Sequence, residues 1–93
     1  MRPRYSKHAQ QRLQQRGIDD EVVTTLITYG RRHHHKGGIT CYMDKRARAR
    51  LESLLDGRTY RRVADRLDRY VVLSPDGTQI LTVAQRRKRL KSA

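Results

Sequence analysis

Residues 6–30 read SKHAQQRLQQRGIDDEVVTTLITYG, and they describe two short helices joined by a tight turn. Ser6 is suited to the N-cap, because its hydroxyl can accept a free backbone N–H of the first turn. Gly17 is suited to the position after the first helix, where a left-handed residue closes the last carbonyls at little cost to glycine. The second helix starts at Asp19 or Asp20. Asp19, Asp20 and Glu21 set negative charge at the positive end of its dipole, and Gly30 supplies its stop. Ile18, Val22, Leu26 and Tyr29 recur at helical spacing, and Val23 and Ile27 widen the stripe. This is the best-formed apolar face in the chain, and it should pack on a sheet.

On the first helix Ala9 and Leu13 share the apolar side. His8 and Arg12 lie one turn apart on its shoulder, where a side chain is half buried and still reaches a ligand. Imidazole beside guanidinium suits a phosphate-handling pair. It also suits a capped amphipathic helix with a boundary histidine.

The next stretch, RRHHHKGGITCYMD at 31–44, signals a hairpin through Gly37-Gly38. With those glycines as the loop, Lys36 faces Ile39, His34 faces Cys41 and His33 faces Tyr42. Alternation puts Ile39, Cys41 and Met43 on one apolar face, and His33 and His35 on the other with Thr40, Tyr42 and Asp44. The exposed patch of His33, His35 and Tyr42 suits RNA binding or proton transfer, or is a solvated face. Three consecutive histidines invite a metal reading, but only alternate ones share a strand face. Two imidazoles do not close a zinc site, so no metal or other cofactor is expected. Cys41 reads as a small buried hydrophobe.

KRARARLESLLDG, 45–57, is a third helix with Ala47, Leu51, Leu54 and Leu55 inward and Gly57 as its end. Lys45, Arg46, Arg48 and Arg50 crowd its N-terminal half, where positive charge opposes the dipole. Anion contact through Arg46 and Arg50 would explain them, as would general surface charge. Residues 58–68 fit a helical stripe of Tyr60, Val63, Ala64 and Leu67, or an edge strand. A second hairpin follows: 69–73, the turn Ser74-Pro75-Asp76-Gly77, then 78–85. The predicted order is helix, helix, strand, strand, helix, strand, strand. That order is an α+β fold in which an antiparallel sheet of about four strands packs against the helical pair and the third helix.

Ninety-three residues make one domain, 1–93, with a basic tail at 86–93. A chain of this size hides roughly 60–65% of its unfolded surface, and it has no Trp or Phe. So thin a core leaves room for a homodimer or a partner protein. Lys plus Arg number 22 against 9 acidic residues, a formal charge of +13. Such a field favours a polyanion, either nucleic acid or an acidic partner, and a structural RNA-binding role fits the charge equally well. No stretch is long enough to span a bilayer, so no membrane partner is expected. One cysteine and no apolar leader point to the cytoplasm.

SKHAQQRLQQRGI resembles the opening of a family of small bacterial proteins of unknown function, with the pattern Ser-x-His-Ala, then Arg, then Arg-Gly-Ile. The likeness extends to Asp76-Gly77, Thr82-Val83 and the terminal arginine cluster. That family is grouped by fold analogy with RelE-like and BrnT-like toxins and with small microbial ribonucleases. The resemblance implies a compact α+β domain of toxin-like ribonuclease fold that binds RNA and cleaves it without metal; as the toxin of a toxin–antitoxin pair it would have a small acidic antitoxin-like partner. It picks out His8, Arg12, Arg16 and Arg86. One departure stands out: Gly-His-Arg is expected where this chain has Ala84-Gln85-Arg86, and Gln85 is no acid or base at neutral pH.

Metal-free RNA cleavage needs a base for the 2′-OH, an acid for the leaving oxygen and cations on the phosphate. His8, His33, His35 and Tyr42 are the candidates for proton transfer, with Arg12 joining the three histidines as the catalytic set. Arg16, Tyr42, Arg46, Arg50, Arg86, Arg87, Lys88 and Arg89 are the candidate RNA contacts. An RNA-binding module without catalysis, and a protein-interaction domain for an acidic partner, are the alternatives.

Overall fold

The computed structural model describes residues 3–85. Four helices and five strands follow one another as β1 (Arg4–Tyr5), α1 (Lys7–Arg16), α2 (Asp20–Tyr29), β2 (Arg31–His35), β3 (Gly38–Tyr42), α3 (Lys45–Leu54), α4 (Gly57–Ala64), β4 (Arg69–Leu73) and β5 (Gln79–Gln85). The strands form one sheet in the order β1-β5-β4-β3-β2. All neighbours are antiparallel except β1, which runs parallel to β5. The sheet is therefore mixed and five-stranded. The expected antiparallel four lacked β1, whose two residues carry no periodic signal. Of residues 58–68, 58–64 are helix and 65–68 turn toward β4, adding α4 to the expected order.

Every helix starts on a side-chain cap. Ser6, Asp19, Asp44 and Asp56 each accept the backbone N–H three residues on, from Ala9, Val22, Ala47 and Thr59. Gly17 closes α1 at φ 62°, left-handed as expected. Gly57, by contrast, opens α4 and does not end α3. Asp56 explains the difference, because a cap there starts a new helix. Leu55 is extended and breaks α3 instead.

The helices share a single core. Ala9, Val22, Val23, Leu26, Ala47, Leu51 and Val63 pack with Ile39, Cys41, Val71, Leu73, Ile80 and Val83. Those sheet residues lie on one face, since Ile39 pairs with Leu73, Cys41 with Val71, and Val71 with Val83. Leu54, expected in the core, is 61% exposed because α3 buries only Ala47 and Leu51. A β-bulge in β5 completes the face. Val72 pairs with Thr82 and Leu73 with Ile80, which leaves Leu81 as the extra residue. Ile80 and Val83 are three apart, so simple alternation would send one of them outward; the bulge turns both inward. Ser6 ties the N-terminus here, its N–H donating to the Ile80 carbonyl and its hydroxyl to that of Leu81.

The β2–β3 hairpin turns on Lys36-Gly37, not on Gly37-Gly38. His35 pairs with Gly38, His34 with Ile39, His33 with Thr40 and Arg32 with Cys41. The shift is two in the pairing sum, so it preserves the expected faces while exchanging partners. The cause is Gly38, at φ 146°, where a Cβ would lie 2.1 Å from the Leu73 carbonyl oxygen. Gly38 is thus committed to close approach within the sheet. Among the described residues, no helix is long and apolar enough to cross a membrane.

Two expectations follow. Gly38→Ala should destabilise well beyond the order of 1–3 kcal/mol set by backbone strain alone, and by more than Gly17→Ala, whose new Cβ would meet nothing within 4 Å. Urea melts of the two variants check this. Asp44 and Asp56 are held below the ordinary 3.8 chiefly by the Ala47 and Thr59 N–H groups, and Asp76 is lowered to about 2 chiefly by the Ser74 hydroxyl. Depressed carboxylates stabilise the fold above their unfolded pKa and lose that contribution as pH falls through the folded one. The melting temperature should therefore fall from about pH 4 down to about pH 2, and Asp76→Asn should shrink the lower part of that fall.

Candidate functional site

The face of the sheet turned away from the helices carries two rows of side chains in register. One row reads His33, Thr40, Val72, Thr82; the next reads Arg31, Tyr42, Tyr70, Ala84. None of these residues belongs to the helix-side core. His35 sits beyond His33 on the same face. The two rings stack with centroids 5.9 Å apart and planes 25° apart, and Thr40 Oγ1 lies 2.8 Å from His35 Nε2. His33 is half-buried and His35 exposed, so two imidazoles stand together with water access. Tyr42 departs from the expected exposed patch, being only 3% exposed. It sits one strand inward from the edge, between Arg31 and Tyr70.

Next to this face lies a cavity of about 190 Å³ lined by Tyr29, Arg31, Asp44, Arg46, Ala47 and Arg50, with Gly30. β2 supplies Arg31, and the first half of α3 supplies Arg46 and Arg50, four residues apart and hence on one side of that helix. Among the described residues, Asp44 is the single carboxylate in the wall. It caps α3 and accepts from Arg31 Nη1 at 3.1 Å. The Ala47 N–H first and then the Arg31 guanidinium hold it below the usual carboxylate range. Three guanidinium groups against one carboxylate leave the cavity net positive. Arg31 and His33 alternate along β2 and are thus about 7 Å apart.

His8 and Arg12 also meet, with Arg12 Nε donating to His8 Nε2 across 3.3 Å. Their helix packs over β1 and β5 through Ala9 and Leu13. They lie on the helix side of the sheet, three strand spacings, or about 14 Å, from β2. The structure therefore splits the four catalytic candidates into two pairs; among the described candidates, Tyr42 shares the face of the histidine pair, and Arg46 and Arg50 line the cavity that Arg31 joins to that face. Gln85 lies at the end of β5 and donates to Asp68 Oδ2 at 3.2 Å. The Arg16 side chain and Arg86, Arg87, Lys88 and Arg89 fall outside the described residues. Arg31, missed in the sequence, was within reach of the alternation that grouped His33 with His35.

His34 points to the opposite face from its neighbours, and Cys41 is opposed by Arg32. Burial raises the Cys41 thiol pKa, an effect that the nearby Arg32 partly offsets. No three metal-ligating side chains converge among the described residues. Tag-free protein passed over a chelating column should accordingly retain less than one zinc per chain by elemental analysis, and Cys41 should resist a thiol reagent until the chain is unfolded.

Neither a curated protein nor a solved structure matches the chain. A family profile described as a domain of unknown function, DUF4258, matches residues 5–91. The match runs from β1 past the end of β5, taking in both histidine pairs and the arginine cavity. The chain belongs to the DUF4258 family.

Proposed function

We propose that this protein binds RNA and cleaves it without metal, as toxin-type endoribonucleases do. One observation carries the reading: the cavity of Arg31, Arg46 and Arg50 opens beside the sheet face on which His33 and His35 stand together. The cavity would seat one backbone phosphate by charge-assisted hydrogen bonds. A neighbouring phosphate would then lie against the imidazoles. One of them would take the 2′-OH proton and the other would protonate the leaving 5′ oxygen. Thr40, bonded to His35, would fix that ring's orientation. His8 and Arg12 would act as a separate backbone contact along the helix side. The toxin-like fold kinship implied by the N-terminal pattern supports the same reading, and the α+β architecture is compatible with it.

The test is incubation of the purified protein with single-stranded RNA in EDTA. His33→Ala and His35→Ala should each lower the cleavage rate roughly 10²–10⁴-fold while leaving the melting temperature within a few degrees. His8→Ala should lower it far less. Arg46→Ala combined with Arg50→Ala should flatten the log-log salt dependence of binding by about 0.7, the contribution of the one phosphate seated in the cavity. Binding that survives in the wild type without any cleavage would reduce the reading to an RNA-binding module.

A further inference from the structure

We propose that the outer edge of β2 receives an extended acidic segment of a partner protein, which adds to the sheet as a further strand. β2 ends the strand order, so among the described residues one of its sides has no neighbouring strand. His35 and Gly38 close a two-residue loop, and the pairs His35–Gly38, His33–Thr40 and Arg31–Tyr42 therefore exchange the ladder hydrogen bonds. The alternate residues, Arg32 and His34, turn their backbone N–H and C=O groups outward. The register turns these groups away from β3, and among the described residues no turn or loop backbone bonds to them. Both residues are exposed.

The two ends of the sheet differ. At the other end β1 is only two residues long, and so short an edge offers little to pair with. β2 runs for five residues with no proline and no bulge. Its one protection is charge: Arg31, Arg32 and Lys36 accompany three histidines, Asp44 is already bonded to Arg31, and the Arg32 guanidinium donates to the Ile27 carbonyl in a cavity that Asp76 also lines. That charge selects the occupant. A second copy pairing edge to edge would set cationic side chains directly opposite one another, which is unfavourable. RNA offers no alternating amide donors and acceptors to match Arg32 and His34. An acidic strand satisfies both requirements, with main-chain bonds along the edge and carboxylates against Arg32, His34 and Lys36.

The probe is the capped heptapeptide Glu-Val-Glu-Val-Glu-Val-Glu, titrated into the full chain and followed by amide hydrogen exchange. Exchange at Arg32 and His34 should slow at least tenfold on binding. A copy of the peptide N-methylated at alternate amides, with identical charge, should bind at least tenfold more weakly. His34→Pro removes one outward N–H at an edge position that tolerates proline and should weaken binding comparably, whereas His34→Thr should stay within a few-fold of wild type. Equal binding of the methylated peptide would reduce the effect to charge attraction and overturn the proposal. So would slowed exchange at Arg32 and His34 in concentrated protein alone, which would identify a second copy as the occupant, or equal slowing by oligouridylate, which would assign the edge to RNA. Because this test contains no cleavage assay, its outcome is independent of whether RNA is cut.

Discussion

Acid is scarce in this chain, and the architecture follows from where it is placed. Nine carboxylates accompany twenty-two Lys and Arg residues. Asp19, Asp44 and Asp56 start three of the four helices, and Asp76 shapes the β4–β5 turn through Ser74 and Thr78. Asp19 also pairs with Arg66, and Glu21 pairs with Arg62 at 2.7 Å, tying α4 to the start of α2. Exposed pairs of this kind contribute little stability; they link α4 and the turn after it to the start of α2. The carboxylates are thus largely committed to holding backbone and register. The cations left over define the outer surface, and the same allocation that permits folding makes the molecule a polycation with few neutralised patches.

The separation of the two histidine pairs is a topological result. α1 covers β5 because the short β1 runs parallel to β5 and returns the chain at once over the sheet. β2 lies at the far edge, reached only after α2 has crossed β3 and β4. Residues that look like members of one constellation in a linear reading therefore stand on different faces. The face with His33 and His35 also has a property the other pair lacks: it continues across four strands as Thr40, Val72 and Thr82, a half-open surface long enough to support a bound chain.

Much of this was legible in the sequence. The α1–α2 pair was, because caps and 3.6-residue periodicity there agree at every position. So were the faces of β2 and β3, because alternation survives any even slip of register. The slip itself was not legible. It depends on Gly38 meeting the Leu73 carbonyl, a contact between residues 35 positions apart. β1 was hidden because two residues cannot show a period. Tyr42 was misjudged because it shares an outward face yet lies one strand in from the edge, and alternation reports which way a side chain points without reporting what lies above it. Gly57 misled because glycine ends helices more often than it begins them, and the preceding Asp56 outweighed it.

The bulge at Leu81 gives β5 two different phases. Upstream, Gln79 and Ile80 serve β1 and the start of α1; downstream, 82–85 serve β4 and the outer face. A strand in one phase would bind these duties rigidly, since any one-residue change in length would invert both together. With the phase break between them, the N-terminal clasp and the open face are separate modules in an evolutionary sense. Drift in the sequence that anchors the N-terminus can proceed without reorienting Thr82 and Ala84, and selection on the open surface can act without undoing the clasp.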